Sequence, residues 1–533
     1  MQNTEEKLPM NDSSKKLIKL GIFALFLFWV GFLYARKIDL ATADLGRHLQ
    51  NGRWVVENHF NLSEKNSPLF ENYYSYTHPD FKVINHHWGS GMIFFFIWKL
   101  FDFSGLSLFY IFLSLVAFSL FFYVAFQESD FTLALLLAFF LAPLMAERTE
   151  VRPEIFSVLF GALFLFLLWE YFQEKISGKW LLFLGVLQVF WVNLHVYFFL
   201  GGFLVGAFWF SEIIHLLFQR LTDEEFARKT KKVKVLTIIL FLVFLAALIN
   251  PFGFEGLFYP VKIFKNYGYT IVENKSVSFV KNYGIVDSNF TLIKIVLTLV
   301  FLSFVLLFGV DRRKISLPYL IFSVFFGVLG WMAIRNFTLL GFFALPVLAY
   351  NFSSSLGQKE GESNLVKEKG IAILYIILVM VGLWGNFEYL NERWEKKGIG
   401  LMSGATKAAE FFQKEGLKGP LFNNYDLGGY LIFSLFPEEK VFVDNRPEAY
   451  PDSFFSEVYK PMQEKADVFK KADQQYNFNA VFFYRNDITP WGMNFLKIIR
   501  EDPEWALVYE DNYALIYLKK NEENRNLINK YKE

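Results

Sequence analysis

Long apolar stretches recur along most of this chain and constrain its fold more than any other feature. A helix that crosses a bilayer needs about 20 mostly apolar residues. The composition agrees, since 54% of the 533 residues are hydrophobic and 67 are Phe. We therefore expect a mainly α-helical, polytopic membrane protein with about eleven transmembrane helices, at residues 17–36, 105–127, 131–146, 153–173, 180–194, 197–218, 235–250, 291–310, 316–334, 336–351 and 370–388.

Two further segments near the start of the chain are expected to touch the membrane without crossing it. Residues 89–101 are apolar but short, as in a re-entrant or interfacial helix. Residues 45–59 carry an imperfect apolar stripe at helical spacing, and we expect them to lie along the membrane surface. The first span follows several lysines without a small-residue cleavage site, which favours a retained anchor over a cleaved signal peptide.

Basic residues are concentrated in alternate loops, and this predicts the orientation. The basic loops contain Lys175 and Lys179, then residues 220–234, then 312–314, and finally the loop with Lys359, Lys367 and Lys369. By the positive-inside rule these loops and the N-terminus face the cytoplasm. The segments at 37–88, 147–152, 251–290, those around residues 195 and 335, and everything after residue 388 are then extracytoplasmic.

The character of the chain changes after Trp394. Short β-rich runs at 420–422, 440–443, 480–484, 507–509 and 513–518 alternate with helix-like runs at 405–414 and 453–471. Such alternation is typical of a small α/β domain. We predict a transmembrane domain at 1–388, whose first extracytoplasmic loop spans about 37–88, and a soluble extracytoplasmic α/β domain at 389–533.

Charge and cysteine content exclude several classes of function. The net charge is only +1, so no overall field favours nucleic acid. The chain has no cysteine, which excludes disulfides, thiolate metal sites and cysteine nucleophiles. No Walker loop, GxGxxG, HExxH or GxSxG pattern is present.

Polar clusters at the ends of the spans all fall on the face opposite the basic loops. Ionisable residues at such positions are candidates for function. Asp39 and Asp44 follow the first span, where a carboxylate is a general base, a metal ligand or only a solvated loop end. Arginine suits a phosphate because its guanidinium offers a fork of donors. The candidates beyond the two aspartates are His48, His86, His87, Arg152, Glu154, His195 and Arg335.

Several of these residues also have a purely structural interpretation. The run 147–154 could be a capped turn, with Pro153 opening the next helix and Glu154 in its first turn. His195 is a typical packing residue. In the C-terminal segment, Asp444 and Arg446 follow a predicted strand, where α/β domains often bind ligands.

The order of these motifs along the chain resembles the GT-C glycosyltransferases. The resemblance rests on Asp44-x-x-x-His48-x-x-x-Gly52 and on Trp88, and it extends over nearly the whole chain. The other matching motifs are Arg152-Pro153-Glu154, Asn193-Leu194-His195, Asn250-Pro251, Arg335-Asn336, Gly428-Gly429-Tyr430 and Asp444-x-Arg446.

The resemblance implies a function and a set of roles. GT-C enzymes use a polyprenyl-phosphate-linked sugar donor and carry an essential acid in the first outer loop, which falls on Asp44, with Asp39 second. Basic residues of other outer loops bind the lipid phosphate, which falls on Arg152 and Arg335. The implied location is the bacterial cytoplasmic membrane, and the implied partners are the sugar donor, a glycan, lipid or protein acceptor, and the bilayer. No cofactor is indicated, and a divalent metal is left open.

The chain also departs from the family. Arg47 stands where a tryptophan commonly precedes the family's histidine. The Asp-Glu pair of protein mannosyltransferases is absent. Residues Tyr425 to Gly428 resemble the acceptor motif of the oligosaccharyltransferase catalytic subunit but lack its tryptophans, so no acceptor is implied. A non-catalytic alternative is a transporter or an envelope-assembly factor that uses the same polar cavity for binding.

Overall fold

The computed structural model describes residues 12–262, 267–282, 284–357 and 365–531. Lys359 of the last basic loop and residues 1–11 of the predicted membrane domain lie outside these ranges. All eleven predicted spans form helices. The helices of the first 393 residues are α1 (Asp12–Tyr34), α2 (Leu45–Glu57), α3 (Trp88–Glu128), α4 (Phe131–Met145), α5 (Glu154–Phe172), α6 (Phe183–Leu194), α7 (Phe199–Phe218), α8 (Asp223–Ala247), α9 (Phe254–Lys262), α10 (Val277–Asn282), α11 (Asn289–Asp311), α12 (Leu317–Met332), α13 (Phe337–Leu356) and α14 (Leu365–Arg393).

Within the described ranges, seven of these helices are long and apolar enough to cross a bilayer. They are α1, α3, α5, α7, α11, α13 and α14. Helices α4, α6 and α12 are apolar but shorter, and the first turns of α8 are highly charged. The protein is thus a mostly helical membrane protein.

The predicted interfacial segment 89–101 is the first part of α3. The helix is interrupted at Asp102, whose φ of 56° and ψ of −165° are not helical. The remainder of α3 matches the predicted span 105–127. Asp102 therefore separates the two segments that the sequence distinguishes.

Helix α2 does not lie exposed on the membrane surface, as its stripe predicted. Ten of its 13 residues are buried, because it packs between α3 and the C-terminal domain. Two glycines allow this close packing. A Cβ on Gly52 would lie 2.1 Å from the carbonyl oxygen of Gly91 in α3. A Cβ on Gly46 would lie 2.5 Å from the carbonyl oxygen of Gly429 on the opposite side.

The C-terminal region is a small α/β domain, as predicted. Its four-stranded sheet has the order β1-β2-β4-β3, with β1 and β2 parallel and the other pairs antiparallel. The strands are β1 (Leu421–Asn423), β2 (Ala480–Tyr484), β3 (Trp505–Glu510) and β4 (Ala514–Lys519). The helices are α15 (Lys407–Lys414), α16 (Gly428–Leu435), α17 (Lys460–Glu464), α18 (Ala466–Tyr476), α19 (Pro490–Glu501) and α20 (Arg525–Tyr531).

Residues 440–443 form no strand, contrary to the prediction from their β-rich sequence. The backbone groups of Val441 pair with the backbone of Tyr74 and Tyr76 in the first loop, and side chains bond to the backbone groups of the next two residues. Asn423 accepts a hydrogen bond from the Phe442 N–H and donates one to the Val443 carbonyl, at 2.9 and 2.7 Å. Thr77 donates to the Phe442 carbonyl at 2.9 Å. The segment is therefore attached to the first loop, with one isolated bridge between Ser75 and Val441.

Two loops of the membrane domain hold the C-terminal domain in place. Tyr76 of the first loop donates a hydrogen bond to the Leu421 carbonyl at 2.9 Å. Tyr269, in the loop after α9, stacks on Tyr425 with ring centroids 4.1 Å apart. These contacts enclose a space between the helix ends and the C-terminal domain.

Candidate functional site

A cavity of about 460 Å³ lies between the membrane helices and the C-terminal domain. One wall contains Asp44, which precedes α2, the turn between α4 and α5, and the loop that carries Glu273. The opposite wall belongs to the C-terminal domain and contains Tyr425, Asp426 and Asn445. Residues from distant parts of the sequence thus share one cavity, and two of the predicted site residues, Asp44 and Arg152, are among them.

The α4–α5 turn brings two arginines into this cavity. Pro153 precedes α5, where a missing N–H costs nothing because the first helical N–H groups lack partners anyway. Arg148 and Arg152 lie in the turn before it and line the cavity. The helix then begins with Glu154, whose carboxylate lies in the positive first turn.

The arginines form a network of ion pairs, here called the arginine–glutamate cluster: Arg148, Arg152, Glu154, Glu273 and Arg335. Glu273 lies 2.6 Å from Arg148 and 3.0 Å from Arg152. Glu154 lies 3.2 Å from Arg148 and 2.9 Å from Arg335. The predicted residues Arg152, Glu154 and Arg335 thus belong to one connected group.

Glu273 is the centre of this cluster and was not among the predicted residues. Burial alone would raise the pKa of its carboxyl, but Arg148 and Arg152 outweigh burial and hold the pKa below its ordinary value. Glu273 is therefore ionised at neutral pH. In the sequence Glu273 is only one acidic residue of an outer loop. Its pairing with Arg148 is not visible there, because the two residues are 125 positions apart.

Asp44 lies at the edge of the cluster and contacts the C-terminal domain. Asn445 donates a hydrogen bond to its Oδ1 at 2.5 Å and accepts one from Arg47 Nε at 3.3 Å. Burial raises the pKa of Asp44, and the charges of Arg152 and Arg47 offset this only in part. Asn445 was not predicted, although both of its sequence neighbours were.

A second carboxylate, Asp426, faces the same cavity from the C-terminal domain. Burial, together with the neighbouring carboxylates of Asp487 and Asp44, raises its pKa to about 7. Asp426 therefore titrates near neutral pH, in the range that suits a general acid or base. It belongs to the Tyr425-Asp426-Leu427-Gly428 run that the sequence pointed to, but was not itself selected.

Four predicted histidines form a second group, here called the histidine cluster: His48, His86, His87 and His195. The ring of His87 lies 5.4 Å from that of His48, 3.7 Å from that of His86 and 5.3 Å from that of His195. His195 Nδ1 also lies 2.7 Å from the Ser157 hydroxyl. Burial lowers the pKa of all four imidazoles, to about 3 for His86 and His195, so they are neutral.

Most of the other predicted residues do not line the cavity that holds Asp44. Glu154 and Arg335 line a small separate space of about 20 Å³ beside Arg148. Asp39 accepts a hydrogen bond from Thr42 at 3.0 Å and lines a separate space of about 50 Å³. Asp444 and Arg446 are buried and form a bidentate pair at 2.9 and 2.6 Å. Arg446 also donates to Asn72 of the first loop at 2.8 Å, so this pair attaches the domain and positions Asn445 between them.

Some carboxylates around the cavity are paired with cations, whereas Asp426 lies near the carboxylates of Asp487 and Asp44. Glu147 and Asp287, at its edge, both accept hydrogen bonds from Arg393. In the part of the chain that the structure describes, no three His, Asp or Glu side chains are arranged to hold a metal ion.

No protein-family model and no curated protein sequence matches this chain. Solved structures do. The crystal structure of the Archaeoglobus fulgidus oligosaccharyltransferase tethered with an acceptor peptide is 11% identical, with a TM-score of 0.60 over 96% of this chain and 75% of that chain. The complex of AglB from the same organism with an inhibitory peptide and a dolichol-phosphate is 12% identical, with a TM-score of 0.57 over 95% and 75%.

ArnT from Cupriavidus metallidurans, in the apo state, is 13% identical with a TM-score of 0.49 over 95% of this chain and 98% of that chain. At these identities the likeness to the oligosaccharyltransferases concerns the fold alone. The predicted fold is confirmed: a GT-C-like arrangement of membrane helices followed by a C-terminal α/β domain.

Proposed function

We propose that this protein is a membrane glycosyltransferase that moves a sugar from a polyprenyl-phosphate-linked donor to a cell-envelope acceptor. The observation that supports this most directly is the single cavity that Asp44 shares with Arg148 and Arg152. Such a transfer needs a base for the acceptor and cations for the departing phosphate, and both are present here. The AglB structure holds a dolichol-phosphate, which supports a lipid phosphate as the donor's carrier.

In this proposal Asp44 is the general base. Its raised pKa brings the carboxylate closer to neutral pH, where a base is most effective. The hydrogen bond from Asn445 fixes one carboxylate oxygen and leaves the other for the acceptor. The acceptor hydroxyl gives its proton to Asp44 while its oxygen forms a bond to the anomeric carbon. The bond from that carbon to the phosphate oxygen breaks, and its electron pair leaves with the phosphate.

The arginines bind the departing phosphate. Arg152 and Arg335 are the predicted residues, and Arg148 joins them through the shared carboxylates of Glu273 and Glu154. Each guanidinium has five donors, and the glutamates do not occupy them all. The buried Nε–H of each of these arginines has no hydrogen-bond partner among the described residues. Each arginine thus keeps a donor for which the described residues provide no acceptor, and this supports an anionic ligand at the cluster.

The other predicted assignments remain proposals. His48, His86, His87 and His195 are neutral donors that shape the space beside the cluster, Asp39 is the second candidate acid, and Glu154, Asp444 and Arg446 hold their neighbours in place. We place the transfer on the extracytoplasmic face of a bacterial cytoplasmic membrane, with the N-terminus in the cytoplasm. The domain boundary near residue 388 belongs to the same proposal.

The test is sugar transfer by Asp44→Asn in detergent-solubilised full-length protein supplied with radiolabelled polyprenyl-phosphate hexoses and membrane acceptors. We expect the rate to fall by about 10²–10⁴-fold, the usual contribution of a positioned base. The matched control is Asp80→Asn, an exposed aspartate of the same loop, which should retain the wild-type rate. Transfer by a folded Asp44→Asn variant at the wild-type rate would refute the role of Asp44.

The alternative is a non-catalytic binding protein. The observation that favours it is that the arginines of the cluster already form ion pairs with Glu154 and Glu273. That alternative predicts binding of polyprenyl phosphate with no sugar transfer by the wild-type protein. The same assay therefore separates the two proposals.

A further inference from the structure

Arg47 in α2 is a buried arginine without an ionic partner. It is 5% exposed, and its only hydrogen bond within the described ranges runs from Nε to the Asn445 side chain, at 3.3 Å. None of the ion pairs among the described residues includes it. Asp44 and Glu448 interact with Arg47 electrostatically but form no ion pair with it. Removing a guanidinium from water without a directly paired anion is costly, so an anionic ligand would stabilise this side chain.

Arg446 is an equally buried arginine whose guanidinium does have hydrogen-bond partners. It is also 5% exposed, yet it makes two hydrogen bonds to Asp444 and one to Asn72. Arg47 has a neutral amide in place of that carboxylate. Both terminal nitrogens of Arg47 have no hydrogen-bond partner among the described residues, so a bidentate site is open on this side chain.

Other buried polar groups beside Arg47 also lack partners. His48 Nδ1 and both amide atoms of Asn51 are unpaired in the described structure, and positions 47, 48 and 51 share one side of α2. The unpaired Tyr74 hydroxyl interacts electrostatically with Arg47. His87, whose Nδ1 is unpaired as well, lies against His48. Hydroxyl, amide and imidazole groups all donate hydrogen bonds, and such donors suit an anionic ligand.

The position of Arg47 relates this site to the proposed chemistry. Asn445 bridges Arg47 and Asp44, so a group bound to Arg47 lies one side chain away from the proposed base. Arg47 also interacts electrostatically with Tyr259 and Glu448, which line a second cavity of about 1160 Å³. Arg47 is thus linked through Asn445 to the cavity of Asp44 and through Glu448 to the second cavity.

We propose that Arg47 binds an oxyanion group, a phosphate or a carboxylate, of one of the two substrates and thereby holds that substrate beside Asp44. The assignment of the anion to a sugar-transfer substrate rests on the proposed function. The existence of the anion site does not rest on that function, because anion binding is measured without sugar transfer. The oxyanion comes either from the donor's phosphate or from an acidic acceptor.

The test is isothermal titration of the full-length protein in detergent with inorganic phosphate and with a short-chain polyprenyl phosphate. Arg47→Gln should weaken phosphate binding by about tenfold, because a charged bidentate contact is lost. The matched control is Arg53→Gln, which removes an exposed arginine of the same helix that pairs with Glu57. It should change the affinity less than about twofold.

The two probes distinguish the sources of the anion. An equal loss of affinity for polyprenyl phosphate and for inorganic phosphate assigns the site to the donor. A loss for inorganic phosphate alone assigns it to the acceptor. Wild-type affinity for both probes in Arg47→Gln, or no phosphate binding by the wild-type protein, overturns the proposal. If sugar transfer fails while phosphate binding depends on Arg47, only the proposed function is refuted.

Folding of the variant provides a second readout. A residue that exists to bind an anion should leave the unliganded protein at least as stable when its unpaired charge is removed, so the Tm of Arg47→Gln should not fall. A purely structural arginine would give a lower Tm. Arg47→Lys keeps the charge but loses the planar fork, and should bind phosphate about threefold more weakly than the wild type. Unchanged phosphate binding by Arg47→Lys would count against the site if Arg47→Gln did not fold.

Discussion

The arginine–glutamate cluster and the histidine cluster meet at the start of α5, and they differ in how their polar groups are satisfied. Glu154 in the first turn pairs with Arg148 and Arg335. Ser157, about one turn further on, contacts His195 at 2.7 Å. In the arginine–glutamate cluster every side chain is ionised and pairs with an opposite charge. In the histidine cluster the imidazoles are neutral, and several ring nitrogens have no hydrogen-bond partner in the described structure.

This difference shows two ways of keeping polar groups at a membrane boundary. Charges persist in a partly buried site when they alternate in sign, since the Coulomb attraction compensates for lost hydration. Titratable groups without such partners lose their charge, as the histidines do. The first arrangement holds cations ready for a phosphate, whereas the second provides a neutral polar surface beside it. The comparison predicts different responses to substitution on the two sides.

The largest effect should come from the centre of the charged side. Glu273→Gln leaves Arg148 and Arg152 without their shared carboxylate and should destabilise the protein by about 3 kcal/mol. The same change removes a competitor for the arginines, so the affinity for polyprenyl phosphate should rise. Thermal unfolding and lipid-phosphate titration measure the two effects.

The control for this prediction is Glu57→Gln, which breaks an exposed pair with Arg53 and should cost less than about 1 kcal/mol. If Glu273→Gln were as stable as the wild type, the network would not be a structural unit. A parallel loss of stability and phosphate affinity would show that Glu273 helps to bind the phosphate.

On the histidine side the expected effect depends on pH. The pKa of His86 is about 3 in the folded protein against an ordinary value of 6.5, so the unfolded chain binds more protons between these values. Stability is then complete above pH 6.5 and falls as the pH drops. Between pH 7 and pH 5 this residue should account for a loss of about 2 kcal/mol.

His86→Asn should remove that share of the pH dependence, measured as the difference in unfolding free energy between pH 7 and pH 5. The matched control is His59→Asn, an exposed histidine of the same loop whose φ of 52° suits asparagine. It should leave the pH dependence as in the wild type. If the unfolding free energy of His86→Asn depended on pH as that of the wild type does, His86 would not be buried in its neutral form.

The smallest effect concerns the attachment of the histidine segment to α6. Trp88 Nε1 donates a hydrogen bond to Asn193 Oδ1 at 2.9 Å. Trp88→Phe keeps most of the ring and removes the donor, so it should cost about 1 kcal/mol. Trp180→Phe, at a tryptophan 64% exposed, is the control and should leave the Tm unchanged. Equal Tm values for the two variants would show that this hydrogen bond contributes nothing.

The sequence predicted the helices well because each depends on local apolar length. All eleven predicted spans are helices, and the change of character after Trp394 marks the α/β domain. Predictions that depended on contacts with segments distant in the sequence were less accurate. The stripe of α2 indicated a surface helix, but packing against Gly91 and Gly429 buries it. The run 440–443 has strand propensity, yet its pairing with the backbone of the first loop is limited to one bridge, and the side chains of Asn423 and Thr77 bond to its other backbone groups.

The candidate site shows the same division. The sequence identified Asp44, Arg152 and Arg335 because charged residues at the ends of apolar spans are conspicuous. It did not identify Glu273 or Asn445, since neither stands out without its partner. It also grouped Asp444 and Arg446 with the substrate-binding residues, whereas the structure pairs them with each other and leaves Asn445 between them to reach Asp44.

The sequence by itself determined that this chain is a polytopic helical membrane protein whose polar clusters share one face, because hydrophobic length and charge position are local properties. Only the tertiary structure decided which of these charges pair and which remain open. Arg152 pairs with Glu273, whereas Arg47 meets only an amide. Such partners come from segments more than one hundred residues apart, and the free energy of a buried charge depends on the group that folding places next to it.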